Sequence, residues 1–98
     1  MTTYSEVLER PGVNLVEFYA SWCPHCHRMM PIVEEVRELV AGKADVFQFD
    51  IDQFPSDAEA AGASSVPTFI IYRDGQEVWR QVGEMPGEEL LKAVQAAC

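Results

Sequence analysis

The sequence predicts an α/β fold in which helices flank a mixed four-stranded sheet. Apolar runs of strand length alternate with stretches of helical period, and Asp74-Gly75 marks a hairpin between the last two strands. Strands separated by helices are expected to pair in parallel, whereas hairpin strands must be antiparallel. The length of 98 residues suits a single domain spanning 1–98.

The first two predicted elements are a short helix and a buried strand. Thr3-Tyr4-Ser5-Glu6 has the form of a capping box, which predicts a helix that runs to about Arg10. The nearly continuous apolar run Leu15–Ala20 is typical of a central strand that is covered on both faces. Glu17 is the one ionisable residue in that run.

A long helix is predicted to begin at Cys23 and to end at Gly42. Pro31 falls inside it and is expected to kink it, because proline removes one backbone hydrogen bond and crowds the preceding turn. The inward side chains are predicted to be Met29, Val33, Val36 and Val40.

The second half of the sequence contains strand, helix, two strands and a final helix. The first strand alternates apolar residues between its faces, and the last helix carries acidic residues at its positive end and turns Leu90, Val94 and Ala97 inward. The predicted ranges are Val46–Ile51, Pro55–Gly62, Thr68–Tyr72, Glu77–Val82 and Pro86–Ala97.

The charge and the composition exclude several classes of function. The net charge of −9 repels phosphate backbones and anionic lipids, so we expect no nucleic-acid partner and no membrane partner. No stretch approaches the roughly 20 apolar residues of a membrane helix. Met1–Arg10 lacks the basic and apolar regions of a signal peptide. We therefore expect a cytoplasmic protein acting as a monomer; a processed periplasmic protein would look the same.

The run Trp22-Cys23-Pro24-His25-Cys26 carries the candidate chemistry. A thiolate is the form of cysteine that attacks a disulfide, and a helix N-terminus stabilises that anion. Cys23 is predicted to occupy that terminus, and Cys26 returns to the same helix face one turn deeper. The favoured mechanism has Cys23 attacking a substrate disulfide and Cys26 then resolving the mixed disulfide.

The cysteine spacing alone also allows other sites. Cys23-Pro24-His25-Cys26-His27 fits the attachment pattern of a c-type haem, and a CxxC pair can contribute to a metal site. A second ligand pair is missing, and Pro31 and Val66-Pro67 argue against haem. We therefore expect no metal and no cofactor, and we expect Cys98 to be a free terminal thiol.

Five segments of the sequence match one known family in order and spacing. They are Val16-Glu17-Phe18-Tyr19-Ala20-Ser21-Trp22-Cys23, Pro31, Asp50-Ile51-Asp52-Gln53, Val66-Pro67-Thr68-Phe69 and Val82-Gly83. Through these segments the chain resembles the thioredoxin family over essentially its whole length.

The resemblance implies the thioredoxin fold, without the extra N-terminal strand that full-length members usually carry. It implies a protein-disulfide oxidoreductase that reduces disulfide-containing protein substrates and accepts electrons from a thioredoxin reductase or another upstream donor. A non-catalytic binding module of the same fold is the alternative.

The resemblance also implies roles for residues around the cysteines. Glu17 aligns with a buried Asp that relays a proton for the resolving cysteine, and burial should raise its pKa. A solvated carboxylate at a strand edge is the alternative. Pro67 matches a cis-proline that lies opposite the cysteines and lets the preceding backbone pair with substrate. A shallow substrate groove would comprise Trp22, Val66, Pro67 and Gly83, unless Trp22 belongs to the core.

Pro24 and His25 are expected to tune the redox potential. A cationic or donating His25 would favour the Cys23 thiolate and therefore the reduced state; an exposed residue without a role is the alternative. Pro-His differs from the usual Gly-Pro and is similar to the dipeptide of a periplasmic disulfide-forming oxidant. A more oxidising or isomerising activity is thus the second possibility. Gln48 stands where the family often has Lys, and the charge of Glu84 should disfavour strongly acidic partners.

Overall fold

Each predicted helix and strand is present in the computed structural model, which describes residues Met1–Cys98. The boundaries differ from the predicted ones by at most three residues, the largest difference being at the end of the long helix. The elements are α1 (Tyr4–Glu9), β1 (Val13–Tyr19), α2 (Pro24–Leu39), β2 (Ala44–Asp50), α3 (Pro55–Ala60), β3 (Thr68–Arg73), β4 (Gln76–Val82) and α4 (Gly87–Ala97).

The four strands form one mixed sheet in the order β2-β1-β3-β4. β1 pairs in parallel with β2, in a register that sets Glu17 opposite Gln48. β3 is antiparallel to both β1 and β4. The prediction of a mixed four-stranded sheet is confirmed, and the central position of β1 explains why its sequence is almost continuously apolar.

The expectation that β3 would pair in parallel is wrong. Thr68, at the start of β3, lies opposite Phe18, near the end of β1. The connection from β2 therefore re-enters the sheet at the end where β2 left it. The six helical residues of α3 rise about 9 Å, at roughly 1.5 Å per residue. The helix alone is thus shorter than the roughly 23 Å of a seven-residue strand, and the connection returns along the same end of the sheet instead of recrossing it.

Two apolar layers cover the sheet, one on each face. α2 and α4 pack on one face, and α1 and α3 pack on the other. The predicted inward residues of α2 are buried, as are Leu90 and Val94, whereas Ala97 is only partly buried. The α2 layer includes Leu15, Val46 and Phe69, so the face of β1 that carries Glu17 is the face that α2 covers.

The helix ends follow the predicted capping chemistry. Thr3 Oγ1 accepts a hydrogen bond from the Glu6 N–H at 3.2 Å, and Glu6 Oε1 accepts one from the Thr3 N–H at 2.9 Å. The capping box is therefore confirmed. α2 remains one helix through Pro31, and a kink there stays a prediction. None of the four helices combines the length and the apolar character needed to cross a membrane.

Candidate active site

Cys23 is the N-cap residue of α2, as its position in the sequence predicted. Its backbone is extended (φ −88°, ψ 114°), and its sulfur accepts a hydrogen bond from the Cys26 N–H at 3.3 Å. The sulfur thus meets one of the unpaired amides of the first helical turn and the positive end of the helix dipole. The Cys23 thiol also donates to the Val66 carbonyl oxygen at 3.8 Å.

Cys26 lies one turn deeper and is 2% exposed. Burial, a hydrogen bond with the Cys23 side chain and the nearby negative charges of Cys23 and Glu17 raise the pKa of Cys26 to about 12. Both cysteines are free thiols. The two sulfurs therefore lie in one small buried cluster, but their environments differ. Cys23 faces helix amides, and Cys26 faces apolar surroundings.

Glu17 is a buried carboxyl on the central strand. It is 2% exposed, and burial raises its pKa from 4.5 to about 7. Gln48 opposes this shift, because its Nε2 donates a hydrogen bond to Glu17 Oε1 at 2.9 Å. The alternative of a solvated carboxylate at a strand edge is wrong, since β1 lies between β2 and β3.

A cavity of about 200 Å³ connects Glu17 with Cys26. This volume is several times the roughly 30 Å³ that a water molecule occupies in the liquid, so the cavity can hold water between the carboxyl and the thiol. His27 Nε2 is in hydrogen-bond contact with the Ser21 carbonyl oxygen. The remaining lining residues are Tyr19, Ala20, Ser21, His27, Met30 and Gln48.

The predicted groove residues Val66, Pro67 and Gly83 lie together beside Cys23. The Val66-Pro67 peptide bond is cis, as the resemblance implied. The Val66 carbonyl faces Cys23, and the Gly83 N–H donates to the Pro67 carbonyl at 2.8 Å. Gly83 has a φ of +94°, a conformation that glycine adopts without steric cost.

Trp22 is a surface residue, so the alternative of a core tryptophan is wrong. Its side chain is 65% exposed, and its Nε1 donates a hydrogen bond to Asp52 Oδ2 at 2.9 Å. An indole that is tethered at its polar edge presents its apolar ring to solvent. This arrangement suits the contact with substrate that the resemblance implies.

His25 contacts Glu84 and Arg28, and both interactions were missed from the sequence. Pro24 is the first helical residue and His25 is exposed, with Nδ1 2.6 Å from Glu84 Oε2. Arg28 donates to the same carboxylate at 2.9 and 2.7 Å. Hydrogen bonds from Arg28 and His25 lower the pKa of Glu84 to about 2. The negative charge of Glu84 is therefore paired with Arg28 and His25, and its effect on acidic partners stays a prediction.

Arg37 is a second residue that sequence reasoning missed. Its guanidinium donates to Gln48 Oε1 at 2.8 Å, and Gln48 in turn contacts Glu17. Arg28 lies three residues after His25, a spacing that places both on one helix face and could have indicated their contact. No comparable signal marks the contact of Arg37 with Gln48, because Gln48 lies on β2.

The remaining potential ligands do not extend the site. Nowhere do three or more His, Cys, Asp or Glu side chains come together in an arrangement that could hold a metal ion. Cys98 is exposed, and its thiol donates to the Val94 carbonyl at 3.3 Å. The chemistry available at this site is therefore that of two thiols, one buried carboxyl and their hydrogen-bond partners.

Comparisons with known proteins agree with this geometry. A family model described as Thioredoxin matches residues 2–96. A thioredoxin of Staphylococcus aureus is 41% identical over 83 residues, which are 85% of this chain and 80% of that relative. A mutant thioredoxin from Halobacterium salinarum NRC-1 has a TM-score of 0.88 at 29% identity, covering 99% of this chain and 87% of its own.

A second solved structure also has a fold similar to that of this chain. It concerns the thiol resolving mechanism of the yeast mitochondrial 1-Cys peroxiredoxin via the glutathione/thioredoxin systems, and its matched chain has a TM-score of 0.87 at 22% identity. The match covers 98% of this chain and 92% of that one. From the family model, the curated relatives and the two cysteines at a helix N-terminus, it follows that the chain belongs to the thioredoxin family of protein-disulfide oxidoreductases.

Proposed function

We propose that the protein reduces disulfides in other proteins by a two-step dithiol exchange through Cys23 and Cys26. The observation that carries the proposal is the difference between the two thiols. Cys23 Sγ accepts an amide hydrogen bond at a helix N-terminus, whereas burial raises the pKa of Cys26 to about 12. A nucleophile needs a stabilised thiolate, and a resolving thiol should stay protonated until the mixed disulfide forms.

In the first step the Cys23 thiolate attacks one sulfur of the substrate disulfide. A bond forms between that sulfur and Cys23 Sγ, the substrate S–S bond breaks, and its other sulfur leaves as a thiolate. The contacts of Val66, Pro67 and Gly83 beside Cys23 support a docking site for an extended substrate segment. We assign substrate contact to these residues and to Trp22.

In the second step Cys26 attacks Cys23 Sγ and releases the substrate. The Cys26 proton passes to the Glu17 carboxylate, a Cys23–Cys26 disulfide forms, and the second substrate sulfur leaves as a thiolate. The substrate thus gains the two electrons that the dithiol loses. A pKa of about 7 supports this role of Glu17, because the carboxyl can both accept and return a proton near neutral pH.

Regeneration of the dithiol requires an upstream electron donor. In the proposed cycle a thioredoxin reductase, or another donor of the cytoplasm, returns two electrons to the Cys23–Cys26 disulfide. Glu17 then gives its proton back to Cys26. The cavity between Glu17 and Cys26 supports this exchange, because it provides space for a water-mediated proton path.

A more oxidising role is the second candidate, and Pro24-His25 favours it. A cationic His25 stabilises the Cys23 thiolate, hence the reduced form, and makes the disulfide a stronger oxidant. In this chain Glu84 Oε2 lies 2.6 Å from His25 Nδ1 and partly cancels that charge. We therefore favour reduction as the physiological direction.

The test of the exchange mechanism measures reduction of the interchain disulfides of insulin with dithiothreitol as the electron donor. Cys23→Ser should abolish the acceleration, and Cys26→Ser should accumulate a mixed disulfide that mass spectrometry detects and dithiothreitol reverses. Cys98→Ser is the matched control and should retain the wild-type rate. Activity in Cys23→Ser would overturn the proposal.

Equilibration of the Cys23/Cys26 couple with glutathione tests the direction. A reduction potential near the roughly −270 mV of a cytosolic reductant supports the proposed role. A value above roughly −180 mV, the range of isomerases and oxidants, would instead establish the second candidate.

A further inference from the structure

A line of hydrogen bonds connects the buried carboxyl of Glu17 to Arg37 on α2. Gln48 Nε2 donates to Glu17 Oε1 at 2.9 Å, and Arg37 Nη2 donates to Gln48 Oε1 at 2.8 Å. Glu17 and Gln48 are paired across β1 and β2, and Arg37 comes from α2. Three elements therefore contribute one side chain each to the line.

Two further contacts hold the Arg37 guanidinium in place. Its Nη1 donates to the Val46 carbonyl oxygen at 2.6 Å, and its Nε donates to Glu34 Oε1 at 3.2 Å. The Val46 carbonyl belongs to the same strand as Gln48, two residues away. Arg37 is thereby anchored to β2 beside the amide that it contacts.

The chemistry of arginine determines how the Gln48 amide is oriented. A guanidinium only donates hydrogen bonds, so Gln48 must turn its oxygen toward Arg37 and its NH₂ group toward Glu17. An N–H that faces Glu17 stabilises the carboxylate. The reverse orientation would present the amide oxygen to Glu17, which favours the protonated carboxyl because only that form can donate a proton to it.

We propose that Arg37 is a positioning residue for disulfide exchange: by orienting Gln48, it keeps a hydrogen-bond donor facing Glu17 and holds Glu17 ready to accept the Cys26 proton. This inference rests on the proposed role of Glu17. Gln48 is the one side chain that hydrogen-bonds to the Glu17 carboxyl. By orienting Gln48, Arg37 therefore controls the main polar contact of the Glu17 carboxyl.

The other groups around Glu17 do not supply an equivalent donor. Cys26 and His27 of α2 line the same cavity, and Tyr19 lines it from β1. Phe69, opposite Glu17 on β3, is apolar. On the face of β2 that carries Gln48, the one further ionisable group is Asp50. Burial and the charge of Asp50 raise the pKa of Tyr19, and that charge would also oppose ionisation of a second carboxyl nearby.

A double-mutant cycle on Arg37 and Gln48 tests the proposal. Met replaces each residue in turn and in combination, because its unbranched side chain retains much of the packing without the hydrogen bonds. The readout is the pH midpoint of the second step, followed by stopped-flow release of thiol from a preformed mixed disulfide. A second readout is the NMR titration of the Glu17 carboxyl carbon. These titrations report the environment of Glu17, which a general loss of stability would not move.

Gln48→Met and Arg37→Met should each raise the midpoint by about one pH unit, since each removes the oriented donor from Glu17. The double variant should match Gln48→Met alone, because Arg37 then has no amide to orient. Arg37→Lys should keep most of the wild-type midpoint, because an ammonium group also only donates. Lys92→Met removes one positive charge from the surface of α4 and should change nothing.

Two results separate failure of this inference from failure of the proposed function. An undiminished effect of Arg37→Met in the Gln48→Met background would overturn the inference, because Arg37 would then act by its charge alone. An unchanged midpoint in Arg37→Met would overturn it as well. If Glu17→Gln leaves the pH profile of the second step unaltered, the proposed role of Glu17 fails, and this inference fails with it.

Discussion

His25 Nδ1 lies 2.6 Å from Glu84 Oε2, so a residue between the two cysteines is joined to the loop that follows β4. Because an ionised Glu84 carboxylate only accepts hydrogen bonds, this contact is a hydrogen bond when His25 carries a proton on Nδ1. Arg28 also binds this carboxylate, whose low pKa keeps it charged at physiological pH. His25 and Arg28, which both lie near Cys23, thus share the one negative charge of Glu84.

Replacing Glu84 with Gln should make the Cys23/Cys26 disulfide more oxidising. The substitution removes the negative charge that offsets Arg28 and a protonated His25, so the Cys23 thiolate and the reduced form gain stability. We expect the reduction potential to rise by roughly 10–30 mV at low ionic strength, and by less at 1 M salt, where the charges are screened. Equilibration with glutathione, with alkylation and mass spectrometry to count thiols, measures the change.

Glu88→Gln is the matched control for the Glu84 substitution. It removes the same charge from an exposed position on α4, where Glu88 pairs with Lys92 at 3.4 Å. Its potential should equal that of the wild type. A fall in the potential of Glu84→Gln, or an equal rise in both variants, would contradict a local effect of Glu84 on the active site.

Glu17 should make the fold less stable as the pH rises from 4.5 to 7. Its pKa is about 7 in the folded protein and near 4.5 when unfolded, so within this window the folded state holds a proton that the unfolded chain has released. Raising the pH therefore favours unfolding. A shift of this size corresponds to about 3 kcal/mol of unfolding free energy, at about 1.4 kcal/mol per pH unit. This contribution is complete below pH 4.5 and lost above pH 7.

Urea unfolding of the wild type and of Glu17→Gln at several pH values measures this loss. The wild type should lose stability relative to the variant between pH 4.5 and 7, because Gln does not titrate. Glu35→Gln, on the exposed side of α2, should follow the wild-type curve. Parallel curves for wild type and Glu17→Gln would show that the buried carboxyl is not protonated in this range.

Hydrophobic periodicity was sufficient to predict every element and most of the core, because burial of one face is a local property of each segment. The direction of β3, in contrast, is not a local property of its segment. It depends on where the connection after β2 re-enters the sheet, which the strand pairing shows and no local pattern indicates. The prediction of parallel pairing therefore failed although the elements were correct.

The residues of the site likewise fall into two groups, those that the sequence predicted and those that it did not. Cys23, Cys26, Glu17 and Pro67 followed from the cysteine spacing and from the family resemblance. The bond from His25 to Glu84 joins positions 59 residues apart, and exposed polar side chains carry no periodic signal. The contact of His25 with Glu84 therefore became visible only in three dimensions.

Gly75→Ala should destabilise the protein more than Gly42→Ala, although both glycines have similar positive φ values of 81° and 86°. A Cβ on residue 75 would lie 2.1 Å from the Leu8 carbonyl oxygen, whereas residue 42 has open space around it. We expect about 1 kcal/mol from φ alone at position 42 and about 3 kcal/mol at position 75, where α1 must also move. Urea unfolding measures both; equal losses would rule out the contact with Leu8.

Trp22→Ala should weaken substrate binding while leaving the fold intact. Because the indole is 65% exposed, its removal should change the unfolding free energy by less than about 1 kcal/mol. Loss of an aromatic contact at the proposed docking site should raise the KM for a protein disulfide roughly 5- to 30-fold, with a smaller change in kcat. Leu39→Ala is the control, because this 59% exposed residue lies at the far end of α2 and should leave the KM unchanged. A KM for Trp22→Ala equal to that of Leu39→Ala would remove Trp22 from the substrate-binding surface.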